Sequence, residues 1–188
     1  MYILPILLLL CVGLMAAQNK STNSTAELRN ETGIEFTGSG KELGVLKRSF
    51  PDDVIGLLKA LMSIESNSGN EGDLVDYLVE GLITDGWFVH RQNISEKGDR
   101  ANIYATRKLL SEHVPRLVLN SHVDTVPPHV AFSQDSENIY GRGSCDAKGQ
   151  IACMILAARR LVNEHHDISK DVALLFTVGE EVDYIGMK

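Results

Sequence analysis

Cysteine is nearly absent from this chain, with three in 188 residues, and Cys11 lies inside an apolar N-terminal run. That leaves Cys145 and Cys153, too few to staple a small disulfide framework. In an oxidising compartment the two are open to pairing; otherwise they stand as two thiols near a loop and a helix. Positive charge is short as well. The 18 Lys and Arg against 25 Asp and Glu give a formal net charge of −7, which argues against a nucleic-acid partner. No Gly-rich phosphate loop follows any apolar run, which disfavours a nucleotide-binding α/β domain. Gly141 and Gly143 do precede a helical stretch, but they lead into Asp146, an acid that repels phosphate. There is no internal repeat and no heptad pattern. The longest apolar run, Ile3 to Met15, falls short of the roughly 20 residues that cross a bilayer.

That run, followed by Ala16-Ala17 and then polar sequence, predicts a secretory signal peptide over residues 1–17. Its positively charged n-region is missing, so an uncleaved anchor is the alternative. Residues 18–49 are rich in Ser, Thr, Asn and Gly without periodicity and predict a flexible leader. Asn-x-Ser/Thr sequons stand at Asn19, Asn23 and Asn30, and again at Asn93. Three crowded behind a signal segment predict glycosylation and a secreted protein, with the vacuole as the other destination of the same route. No membrane association is expected once the signal is removed. From Phe50 onward roughly 140 residues remain, enough for one modest core.

Pro51-Asp52-Asp53 opens a helix with Val54, Leu57, Leu58 and Leu61 on one face. A turn at Ser66-Asn67-Ser68-Gly69-Asn70 leads into a second helix striped by Leu74, Val75, Leu78, Val79 and Leu82, ending near Gly86. Trp87-Phe88-Val89, Asn102 to Ala105, Leu117-Val118-Leu119 and Val172 to Val178 read as strands. Ile151 to Val162 reads as an amphipathic helix. Apolar strands separated by such a helix predict an α/β fold: a mainly parallel sheet, flanked by helices and joined by right-handed crossovers. Ligands of such sheets gather beyond the carboxyl ends of the strands. His122 and Asp124 follow one strand, Glu180 and Glu181 follow another, and Asp146 enters the helix between them.

Those five residues supply one imidazole and four carboxylates, the ligand chemistry of a hydrolytic zinc site. His122 and Asp124, two apart on extended chain, project from one face, so the carboxylate can orient the ring or accept its second N–H. His-x-Asp alone is weak. Asp146 would pass for an ordinary helix N-cap, or it can bridge two metals. Glu180 and Glu181, adjacent on extended chain, would point apart, one to a metal and the other free to act as a general base. Most Glu-Glu pairs are solvated turns; the argument rests on the constellation.

The ordered segments His122-Val123-Asp124-Thr125-Val126-Pro127, Gly141-Arg142-Gly143-Ser144-Cys145-Asp146-Ala147-Lys148-Gly149 and Gly179-Glu180-Glu181 resemble the zinc aminoacylase and carboxypeptidase superfamily. That superfamily includes acetylornithine deacetylase, succinyl-diaminopimelate desuccinylase and glutamate carboxypeptidase. Ser66-Asn67-Ser68-Gly69-Asn70-Glu71 resembles its Ser-x-x-Gly-Asn-Glu turn, and the signal segment makes the chain look most like the secreted probable carboxypeptidases of fungi. The resemblance spans residues 50–188. It implies that His122 ligates one zinc, Asp146 bridges two, Glu181 ligates the other, Glu180 is the base, Asp124 orients His122, and the Asp146–Ala147 peptide is cis. Family members continue further, with another acidic ligand, a late His ligand and an inserted dimerisation domain. Residues 50–188 therefore read as the N-terminal part of a truncated catalytic domain, and a homodimer is expected only with the further domain. The expected activity is that of a secreted di-zinc hydrolase cleaving a peptide or N-acyl-amino-acid amide bond, with residues 18–188 alone inactive. The alternative is a truncated, catalytically inactive decoy or binding form.

Overall fold

The computed structural model describes residues 49–188; the expected signal peptide, the expected leader up to residue 48 and the sequons at Asn19, Asn23 and Asn30 lie outside the described residues. Helix α1, Val54–Met62, begins where the Asp53 carboxylate accepts a hydrogen bond from Gly56 N at 2.8 Å, satisfying one of the donors that a helix start leaves orphaned. It buries Leu57, Leu58, Leu61 and Met62; Val54, expected on that stripe, stays exposed at the first turn. Helix α2, Gly72–Thr84, buries Leu74, Val75, Leu78 and Leu82 and ends before Gly86, whose φ of +79° carries the chain out of the helix. A side chain resists that conformation.

Strands β1 (Phe88–Asn93), β2 (Ala101–Thr106), β3 (Leu117–His122) and β6 (Val172–Thr177) form one sheet in the order β1-β2-β6-β3. The helices flank it as expected, but the sheet is mixed. Only β3 and β6 run parallel; β1–β2 and β2–β6 are antiparallel. The reason lies in the connections. A parallel pair needs a crossover of a dozen residues or more, and helix α3, Lys148–Glu164, supplies one between β3 and β6. Between β1 and β2 stands only the turn around Gly98, which can join antiparallel strands and nothing else. Both central strands, β2 and β6, are buried at all but one position.

Two-residue strands β4 (Ser133–Gln134) and β5 (Ile139–Tyr140) form a separate hairpin in the β3–α3 connection; nothing that short shows alternation in sequence. A four-residue helix, α4 (His166–Ser169), precedes β6. Helix α3 packs on α1 and against β3, and α2 packs on β1 and β2. Cys145 and Cys153 are unpaired and exposed. Among the described residues no helix is long and apolar enough to cross a membrane.

Candidate metal centre

His122 ends β3 and pairs in parallel register with Thr177, the end of β6. Both strands therefore deliver their following residues to one edge of the sheet, and the loop entering α3 brings Asp146 there too. Ligand atoms of His122, Asp146 and Glu181 lie within 4.8 Å of one another. His122 Nε2 is 2.9 Å from Asp146 Oδ1 and 4.0 Å from Glu180 Oε2. His122 Nδ1 is 3.0 Å from the main-chain oxygen of Asp124 and 3.4 Å from its carboxylate. An N–H at Nδ1 donating to that oxygen leaves the Nε2 lone pair directed at the acidic cluster. The Asp146–Ala147 peptide is cis, as is Pro127–Pro128.

Asp124 itself is fully buried. Its carboxylate accepts from Ser68 Oγ at 2.7 Å, Glu180 N at 3.0 Å and Glu181 N at 3.1 Å. Glu180 and Glu181 do not lie on extended chain. Gly179, at φ +72°, opens a tight turn closed by the Tyr184 N–H on the Gly179 oxygen at 2.6 Å. The Glu-Glu pair is thus presented by a turn whose two amides are pinned to one carboxylate, not by strand alternation.

Charge follows from this geometry. The adjoining Asp124 carboxylate, against the opposing effect of burial and with help from Asp146, raises His122 from 6.5 to about 9. Burial pushes Asp124 upward, but hydrogen bonds from His122, Ser68 and the two amides outweigh it and bring the acid to about 2. Glu181 is raised, first by burial and then by the Asp146 carboxylate. One imidazole and two carboxylates, with Asp124 and Glu180 beside them, fit a divalent cation of borderline hardness; neither thiol belongs to the cluster.

A pH dependence follows. His122 contributes stability that is fully present below its unfolded value of 6.5 and is lost as pH rises through about 9. Asp124 contributes stability present above 3.8 and lost as pH falls through about 2. Chelator-treated protein should therefore gain most from the pair between these limits and lose stability from pH 6.5 toward 9. Bound metal requires the neutral imidazole, so protein saturated with a divalent metal should lack that alkaline loss. Melting temperatures of wild type and His122→Gln, with and without zinc, measure it; a metal-free difference that stays flat from pH 6.5 to 9 would sink the assignment.

A profile described as Peptidase family M20/M25/M40 matches residues 118–188. The chain carries a peptidase M20 family domain. A peptidase M20 domain-containing protein of Schizosaccharomyces pombe is 43% identical over 138 residues, 73% of this chain and 34% of that protein. A probable carboxypeptidase of Aspergillus fumigatus is 34% identical over 205 residues, 96% of this chain and 45% of its own length. The chain thus spans between a third and a half of these relatives. Among solved structures, a tripeptidase from Staphylococcus aureus superposes with a TM-score of 0.60 at 28% identity, over 74% of this chain and 39% of that one. An M20 family metallo-carboxypeptidase from Sulfolobus solfataricus shares the fold at a TM-score of 0.54 and 20% identity, over 67% of this chain and 30% of its own.

Several residues around the centre carry no metal-ligand signal in sequence. Ser66 Oγ donates to Val123 O at 2.8 Å, and the Ser68 N–H to Thr125 O at 3.1 Å, lashing the 66–71 turn to the chain just past His122. Lys148, two residues beyond Asp146, is buried, and its Nζ donates to Leu61 O and Ile64 O at the end of α1. Asn102 spans Val178 N and Gly186 O, bracketing the Glu-Glu turn from β2. The one signal available for Ser66 and Ser68 was their place in the Ser-x-x-Gly-Asn-Glu turn.

Proposed function

We propose that this chain forms part of the catalytic domain of a secreted di-zinc peptidase, one that cleaves a C-terminal peptide bond or the amide of an N-acyl amino acid. The observation that carries the reading is the convergence of His122, Asp146 and Glu181 within 4.8 Å, with a further carboxylate, Glu180, on the same side of the imidazole. The A. fumigatus relative, a probable carboxypeptidase, supports the substrate class. His122, Asp146 and Glu181 would hold metal, with Asp146 the ligand shared between two ions. Bound zinc supplies Lewis-acid polarisation and acidifies water.

The chain's own groups do the rest. Asp124, ionised across the neutral range, fixes the His122 ring through Nδ1 and holds the Glu-Glu turn by its amides. Glu180 takes the proton of the attacking water and returns it to the leaving amine. Exposure of Asn93 at the end of edge strand β1 supports a glycan there and passage through the secretory route.

Zinc titration calorimetry on the chelator-treated chain tests the reading. Saturable uptake is expected, with His122→Ala and Glu181→Ala each weakening one metal and Asp146→Ala emptying both. Absence of uptake would overturn the metal centre, and loss of a single metal in Asp146→Ala would remove the bridge. Residues 18–188 alone are expected to be inactive, so hydrolysis of an N-acyl amino acid is read in the full-length protein, where metal uptake without hydrolysis would assign these residues to a binding form. For the secretory part, wild type expressed in a eukaryotic secretory host should shift further on deglycosylation than Asn93→Gln; equal shifts would remove the Asn93 glycan.

A further inference from the structure

Behind the centre lies a buried ion pair that the proposed chemistry leaves unused. Glu71 is 0% exposed. Its Oε2 accepts from Arg100 Nε at 2.9 Å and its Oε1 from Arg100 Nη2 at 2.8 Å, while Gly69 N adds a third bond at 3.0 Å. A buried carboxylate is tolerated only when it is satisfied in this way. The fork is bidentate, a geometry that lysine cannot reproduce.

The pair reaches the acidic turn from two sides. Arg100 Nη2 stands 2.9 Å from where a Cβ on Gly179 would lie, so the guanidinium is seated directly against the hinge of the Glu180–Glu181 turn. On the other side, Glu71 holds the Gly69 amide, and neighbouring Ser68 donates its hydroxyl to Asp124, the carboxylate that pins both turn amides. The guanidinium's positive charge is kept first by Glu71, against burial, and then by the Asp183 and Asp124 carboxylates. It is therefore a fixed cation at the back of a cluster of acids.

We propose that Arg100, held in place by Glu71, is a positioning residue: it sets the Glu180–Glu181 turn against Asp124 and thereby tunes how tightly the centre holds zinc. The proposal rests on the metal-centre reading above. A purely architectural pair of the same kind exists in the chain for comparison. Arg159 forks onto Asp85 at 2.9–3.1 Å and also reaches Asp52. It lies 11 residues along α3 from Lys148, about 16 Å from the helix start at 1.5 Å per residue.

The test is zinc affinity, by calorimetry on the full chain, at a temperature where circular dichroism shows each variant folded. Arg100→Lys should weaken zinc binding about 10–100-fold, the range expected when an outer-shell support is lost, whereas Arg159→Lys should lower the melting temperature and leave zinc affinity unchanged. Glu71→Gln, nearly isosteric, gives the same expected loss and serves if Arg100→Lys does not fold. If wild type binds zinc and both Arg100→Lys and Glu71→Gln bind as tightly, the positioning role is wrong and the metal centre stands. If Arg159→Lys loses affinity to the same degree, the effect is general loosening and the inference falls. If wild type takes up no zinc, both readings fall together.

Discussion

In a protein that carries this domain at the full length of its relatives, Glu180→Ala is expected to lower turnover by roughly 10²–10⁴-fold, the contribution of a positioned general base, while zinc content stays at the wild-type level. Glu180 lies outside the three-residue cluster that can hold a metal, yet its Oε2 is 4.0 Å from His122 Nε2, so its carboxylate faces the same space. Its side chain is partly open to solvent, at 46%, as a group that meets water and a leaving amine must be. The substitution should not displace its neighbour, because the turn is held through main-chain amides that Ala retains. Glu181→Ala has the opposite signature, losing metal before it loses anything else. Hydrolysis of an N-acyl amino acid, measured beside zinc content by atomic emission, separates the two. Zinc lost from Glu180→Ala and retained by Glu181→Ala would exchange the roles.

The sequence shows the helices because their apolar spacing is the packing surface itself: Leu57, Leu58 and Leu61 on α1 and Leu74, Val75, Leu78 and Leu82 on α2 are all buried. It also shows that His122 and the Glu-Glu pair follow apolar strands, and strand ends on one sheet edge are enough to predict convergence. Pairing direction was less visible. Apolar content marks a strand but says neither which neighbour it takes nor whether it is covered, since Leu117 of edge strand β3 is exposed, and the β1–β2 hairpin follows from the shortness of its turn rather than from its strands.

The supports of the site were hidden for a different reason. The Asp124 carboxylate acts on two backbone amides 56 and 57 residues away, and any residue type offers an amide. Arg100 looks like an ordinary surface charge and Glu71 shows only as the end of the Ser-x-x-Gly-Asn-Glu turn; nothing in sequence pairs them across 29 residues until the fold brings them together. Lys148 would pass for a solvated first-turn residue of α3, yet it is almost wholly covered. Metal-ligand chemistry leaves a mark on residue type and spacing; the groups that hold those ligands leave much less.

Asp124→Ala should be the most destabilising substitution at the centre. The carboxylate is fully buried and ionised, and it satisfies the Ser68 hydroxyl and the Glu180 and Glu181 amides while compensating the charge on His122. Removing one partner of a buried charged set costs about 3–5 kcal/mol, because the remaining groups stay desolvated without a partner. For a domain of this size that corresponds to a melting temperature lower by roughly 10–20 °C. Asp124→Asn is the sharper probe. Its amide oxygen can still accept one of the two turn amides, but its NH₂ would face the other, donor against donor. It should therefore fall between wild type and Ala in stability, and it should lose zinc affinity even where it remains folded, since the turn carrying Glu181 is displaced. Thermal melts and zinc titration of the two variants decide the matter. Wild-type melting and wild-type affinity in Asp124→Ala would mean that water or the main chain can hold the Glu180–Glu181 turn, and that Asp124 acts on His122 alone.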